Sequence, residues 1–152
     1  MMNHSERAIS VLQTPPSERS PEEIENLVSA INHVDFFGKL AVNNPQMQLE
    51  YCRLMTLASF DADEFVFRLG DHPAEEIYII LRGKIKVLIP KDDVMTQVAE
   101  LGIGMTFGEY ATIRSEPRKG TVQCIEPCVF GVLSKVDYFN VKQAYEQSPD
   151  HA

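Results

Sequence analysis

Cysteine is scarce in this chain of 152 residues: Cys52, Cys124 and Cys128 make an odd count and contain no CxxC pair. That excludes a closed disulfide framework and a zinc knuckle. The three read as reduced thiols that pack as small hydrophobes. Long apolar runs are also missing. No stretch of about twenty apolar residues exists to cross a bilayer, and Met1 to Ser10 carries His4, Glu6 and Arg7 where a signal peptide would be hydrophobic. The expectation is an intracellular, cytoplasmic protein with no membrane partner. Positive charge is in deficit, with 14 Lys and Arg against 22 Asp and Glu and a formal net charge of -8. Broad binding to a nucleic-acid polymer needs clustered excess cations to displace counterions, so any anion site here must be local. What is present is 44% hydrophobic residues with five Tyr and eight Phe. That is the composition of one packed globular domain.

Residues 1–19 lack sustained periodicity and include Thr14-Pro15-Pro16-Ser17, which predicts a flexible N-terminal arm. Residues 20–152 read as the folded domain, helical over 20–59. Ser20-Pro21-Glu22-Glu23 supplies an N-cap, a proline at the first helical position and a glutamate three residues after the cap. Ile24, Leu27, Val28, Ile31 and Val34 follow at three- and four-residue steps, a single buried stripe. Asn44-Pro45 repeats the start signal for a helix carrying Met47, Leu49, Tyr51, Cys52, Leu54 and Met55. Over 60–133 the period changes to short apolar runs at 64–68, 77–81, 84–89, 96–101 and 129–133, divided by Gly70-Asp71, Arg82-Gly83, Pro90 to Asp93, Gly102 and Gly104. Such spacing predicts a mainly β fold of barrel or jelly-roll type with flanking helices. Helical spacing returns over 134–148 through Val136, Phe139, Val141 and Tyr145, until Ser148-Pro149 stops it.

The β pattern breaks at Phe107-Gly108-Glu109-Tyr110-Ala111-Thr112-Ile113 and the following Arg114-Ser115-Glu116-Pro117-Arg118-Lys119-Gly120-Thr121-Val122. A glycine allowing close backbone approach, then a short helical turn, presents free N–H groups that hold a phosphate, with an arginine to neutralise it. This segment, 107–122, resembles the phosphate-binding cassette of the cyclic-nucleotide-binding family. Phe107, Gly108, Glu109, Ala111, Pro117, Arg118, Thr121 and Val122 match at the family's spacing without a gap. The likeness extends to Phe67-Arg68-Leu69-Gly70-Asp71, to Ile77 through Gly83, and to Val98-Ala99-Glu100-Leu101-Gly102 with Gly104.

The resemblance implies a β roll of the double-stranded β-helix or jelly-roll type, with an N-terminal helical bundle and a C-terminal hinge and lid helix. It implies a regulatory module that binds cAMP or cGMP, uses no cofactor or metal and passes the signal to a protein effector in trans or in further sequence. By the same resemblance Glu109 accepts from the ribose 2′-hydroxyl and Arg118 pairs with the phosphate through its planar fork. Gly108, Tyr110, Ala111, Pro117, Lys119, Gly120 and Thr121 complete the ligand-binding set, and Glu75 or Glu76 orients the arginine. The sequence departs from the family at Lys119, where alanine or threonine is usual, so base selectivity is not legible; Lys119 reaches either the ligand or solvent. Tyr110 and Thr112 stand where aliphatic residues are common. The chain end leaves little for a lid, which points to a partly exposed base with Tyr138 or Tyr145 as the stacking candidates.

Three other readings compete. Glu109 and Arg118 could be a surface ion pair that binds nothing, leaving a degenerate fold that serves as a protein interaction module. A metal-dependent enzyme of the cupin type needs histidines on central strands, whereas His4, His33, His72 and His151 lie elsewhere and no nucleophile with a base stands out. The expectation is therefore no catalysis. A DNA-binding regulator needs a helix-turn-helix after the lid, for which few residues follow Tyr145.

Overall fold

The computed structural model describes residues 2–40 and 44–146. In chain order it contains α1 (His4–Leu12), a 3-10 turn (Pro16–Glu18), α2 (Pro21–Ile31), α3 (Asp35–Leu40) and α4 (Pro45–Leu54). The strands are β1 (Thr56–Phe60), β2 (Phe65–Phe67), β3 (Glu76–Arg82), β4 (Ile85–Lys91), β5 (Val94–Leu101) and β6 (Thr106–Phe107). A short helix α5 (Glu109–Arg114) interrupts them before β7 (Thr121–Cys124), β8 (Cys128–Ser134) and α6 (Lys135–Glu146).

The helix starts follow from local chemistry. Ser20 Oγ accepts from the Glu23 amide at 3.1 Å and a Glu23 carboxylate oxygen accepts from the Ser20 amide at 3.1 Å, closing the capping box. Asn44 caps α4 by accepting from the Met47 amide at 3.3 Å.

The strands form two four-stranded antiparallel sheets, ordered β1-β8-β3-β6 and β2-β7-β4-β5. This is the β roll with flanking helices. Period-two alternation splits the core in two. Along β3, Ile77, Ile79 and Leu81 join Val129 and Leu133 of β8 beneath the helices, in one cluster with Leu27, Ile31, Phe37 and Tyr51. The intervening Tyr78 and Ile80, with Phe130 and Val132, pack between the sheets against Ile85, Phe107, Val122 and Cys124. The first sheet is thus covered on both faces, which is why β3 and β8 read as continuous apolar runs.

Three expectations need correction. The segment read over 1–19 as a flexible arm is folded where described: α1 buries Ala8, Ile9, Val11 and Leu12 in the helical core cluster, and Ser5 is buried as well. Gly131 of β8 is what lets it approach, since a β-carbon there would lie 3.0 Å from Met55 Sδ and 3.5 Å from Leu12 Cδ1. The two prolines only end α1 and begin the 3-10 turn. Arg19, 7% exposed, ties this segment to α4 by donating to the carbonyls of Thr14 and Cys52 at 2.9 Å and of Arg53 at 3.1 Å. Second, the helical stretch read as 20–59 ends at Leu54, because the chain re-emerges as β1 beside β8. Third, the strand reading missed β6 and β7, too short to show alternation. The stop signal Ser148-Pro149 lies outside the described residues, as does any lid beyond it.

Packing of α1 has a measurable consequence. Leu12→Ala is expected to cost about 2–5 kcal/mol in equilibrium denaturant unfolding, the range for deleting a buried leucine. A solvated arm would show a change within about 0.5 kcal/mol.

Candidate ligand-binding site

The cassette begins where β6 gives way to α5. Phe107 is buried between the sheets, its ring stacked on Tyr78 at 4.9 Å and 9°. Gly108 then turns the chain with φ +84°, and a β-carbon there would meet Arg118 Nη1 at 3.0 Å and the Glu76 carbonyl at 3.3 Å. Both the positive φ and the close approach call for glycine. Thr112 anchors α5 to β3: it is fully buried and its hydroxyl donates to the Glu76 carbonyl at 2.9 Å. This accounts for threonine at a position that is aliphatic elsewhere, since the hydroxyl has a fixed acceptor.

Arg118 is held from both ends. Its amide donates to the Asp71 carbonyl at 2.9 Å and its carbonyl accepts from the Gly70 amide at 2.8 Å. Thr121 Oγ1 accepts from the Leu69 amide at 2.8 Å, and Asp71 closes the turn by accepting from the Arg68 amide at 2.9 Å. The loop after β2 is therefore stitched to residues 118–121. The guanidinium, in turn, donates to the Gly108 carbonyl at 2.7 Å and the Glu76 carbonyl at 2.9 Å, and lies 4.0 Å from the centre of the Phe67 ring. Arg118 is 5% exposed and ion-pairs with no carboxylate among the described residues. Burial lowers its pKa, opposed by Tyr78, Glu76, Asp71 and Glu109.

The expected orienting carboxylate is accordingly a backbone group. Glu76 holds the arginine through its carbonyl, while its carboxylate accepts from the Tyr78 hydroxyl at 3.0 Å. The Glu75 carbonyl accepts from the Lys135 amide and takes no part in holding Arg118. The surface ion-pair reading does not describe this geometry, because Arg118 is buried and bonded to carbonyls.

A cavity of about 350 Å³ opens over this arrangement. Gly108, Glu109, Tyr110, Ala111, Arg118, Lys119 and Gly120 line it, with Phe67, Val87, Leu101 and Val122 as apolar walls. Pro117 and Thr121 lie outside the lining; Pro117 is exposed and Thr121 is buried beneath, pinning the loop. Burial raises the Glu109 pKa, although its own amide and that of Tyr110 hydrogen-bond the carboxylate and oppose the rise. Lys119 is exposed at the rim with its ammonium 3.5 Å from Glu116. Tyr138 is not a stacking candidate: it is buried against Tyr51 at 6.1 Å, outside the lining, and Tyr145 is outside it too. The sequence reading missed Phe67 and Val87 as walls; their alternation on paired strands of one sheet was the available signal.

The sequence model of the cyclic nucleotide-binding domain matches residues 57–145. The chain belongs to this family. Among curated relatives, it is 32% identical over 123 residues to a cAMP-dependent protein kinase regulatory subunit of Yarrowia lipolytica, covering 78% of this chain and 30% of that one. It is 32% identical over 105 residues to the cyclic nucleotide-gated potassium channel mll3241 of Mesorhizobium japonicum, covering 69% of this chain and 27% of the channel. The chain thus spans less than a third of either relative. Among solved structures, the regulatory domain of Toxoplasma gondii PKA, crystallised with cAMP, superposes with a TM-score of 0.69 at 16% identity, over 85% of this chain and 50% of that one. That likeness carries the fold. Among the described residues of this cyclic nucleotide-binding domain, no helix is long and apolar enough to cross a membrane.

Gly108→Ala is expected to cost about 1–2 kcal/mol of stability from the left-handed backbone alone. Gly102→Ala, where an added β-carbon meets nothing within 4 Å, is the control and stays within about 0.5 kcal/mol. Chemical denaturation of the two variants checks the contrast.

Proposed function

We propose that the chain is a regulatory module that binds cAMP or cGMP in the cassette cavity and passes occupancy to an effector elsewhere in its polypeptide or in a protein partner. The observation that carries this reading is Arg118, a cation 5% exposed in the cavity wall with no ion pair among the described residues. Burying a cation is costly, the carboxylates of Glu76, Asp71 and Glu109 act on it without an ion-pair contact, and a cyclic phosphate supplies an anion whose two free oxygens suit the guanidinium fork. Glu109, in the same lining, is an acceptor for the ribose hydroxyl, and the apolar walls suit a purine. Ligand binding, not turnover, is what such a set performs.

Calorimetric titration with cAMP and cGMP is the test. Arg118→Ala is expected to weaken whichever nucleotide binds by tenfold or more, since a charge-assisted bond contributes about 1.5–3 kcal/mol. A folded wild-type chain that binds neither nucleotide would instead support the rival reading, a degenerate domain acting as a protein interaction module.

The pH dependence follows from Glu109. Its carboxyl accepts more strongly from the hydroxyl when ionised, and burial holds its pKa above the ordinary carboxylate range near about 4.3. Affinity is therefore full above that raised pKa and falls as pH drops through it, at a higher pH than an exposed carboxylate would show. Glu109→Gln should flatten the acid limb in a titration series, and 2′-deoxyribose nucleotides should bind more weakly than their ribose counterparts.

A further inference from the structure

We propose that Tyr110 is the base-stacking residue of this site, a role that rests on the cyclic-nucleotide reading above. Tyr110 lines the cavity yet is 54% exposed, so it stands at the rim. It follows Glu109, the group assigned to the ribose, on α5, and both residues line the same cavity. Phosphate at Arg118 and ribose at Glu109 leave the base directed outward, and a cavity of about 350 Å³ lies at the small end of ligand pockets. The purine then reaches the rim.

The ring is already positioned. The Arg114 guanidinium lies 4.2 Å from its centre, four residues along the same helix, where side chains share a face. That contact restrains the tyrosine before ligand arrives and reduces the ordering cost of stacking. Of the other aromatics in the lining, Phe67 has Arg118 over it at 4.0 Å and Phe107 is buried with its ring stacked on Tyr78. Tyr138 is 4% exposed and stacked on Tyr51, which removes it from contention. An aliphatic residue at position 110 would satisfy packing of α5; an exposed tyrosine clamped by a cation has a flat surface to offer a base. Stacking does not depend on the base's hydrogen-bonding edge, so the site should tolerate more than one purine.

Etheno-cAMP, whose fluorescence responds to stacking, and an abasic ribose cyclic phosphate are the two probes, titrated into the full chain. The wild type should bind both and quench etheno-cAMP. Tyr110→Leu should weaken etheno-cAMP about tenfold and abolish the quench, Tyr110→Phe should retain both, and the abasic probe should bind all three proteins within twofold. Etheno-cAMP affinity unchanged in Tyr110→Leu overturns the proposal. So does an equal loss for the abasic probe, which would mean a damaged cassette. If the wild type binds neither probe, the cyclic-nucleotide reading itself has failed.

Discussion

One guanidinium sets the terms for the rest of the site. Arg118 is drawn out of water by Phe67 and held by the carbonyls of Gly108 and Glu76, neutral acceptors that fix its direction without cancelling its charge. Each of these contacts constrains something else. The Gly108 carbonyl is available only because that residue takes a positive φ, and a side chain there would press on the arginine. The Glu76 carbonyl also accepts from Thr112, so β3, α5 and the arginine share one oxygen. With the backbone of residue 118 bonded to Gly70 and Asp71, the cation is fixed by four segments distant in sequence. A charge fixed in this way is preorganised for an anion and needs little rearrangement to receive it.

The two-sided burial of the first sheet explains how so short a cassette can be held so firmly. Its inner face meets the second sheet through Tyr78, Phe107 and Phe130, whose rings contact one another at 4.9–5.7 Å. Its outer face is covered by α1, with α2 and α4 packed into the same core cluster. Strand β3 carries the Glu76 carbonyl at its start and buried residues on both faces thereafter, so the hydrogen-bond acceptor for Arg118 is rooted in a strand packed on both sides. The first helix contributes to this support from the far side of the sheet.

Much of this was legible in the residues. The capping box at Ser20 and the proline after Asn44 announced α2 and α4, and short apolar runs divided by turn residues pointed to a barrel or jelly roll. The resemblance of Phe107 to Val122 to the family's motif pointed to the cassette. Local signals failed where tertiary context decided. Thr14-Pro15-Pro16 is a valid break, yet Ala8, Ile9, Val11 and Leu12 before it already form a helical apolar stripe whose partner, the Gly131 surface, is over a hundred residues away in sequence. The orienting group for Arg118 was sought among carboxylates, but side-chain type carries no information about a main-chain carbonyl. Tyr138 looked available as a stacking ring and is instead internal, whereas Tyr110 entered the ligand-binding set without a stacking role.

The central claim is that Arg118 serves the ligand more than the fold, and stability separates the two roles. Arg118→Met keeps the apolar stem of the side chain while removing its guanidinium and charge. Urea unfolding of both proteins, with and without saturating cyclic nucleotide, is the direct measurement. The account predicts that the unliganded variant stays within about 1 kcal/mol of wild type, because loss of two hydrogen bonds is offset by relief of the desolvation cost of a buried cation. It also predicts that ligand-induced stabilisation, present in wild type, is lost in the variant. An unliganded loss of about 3 kcal/mol or more, or an undiminished ligand effect in the variant, would contradict it.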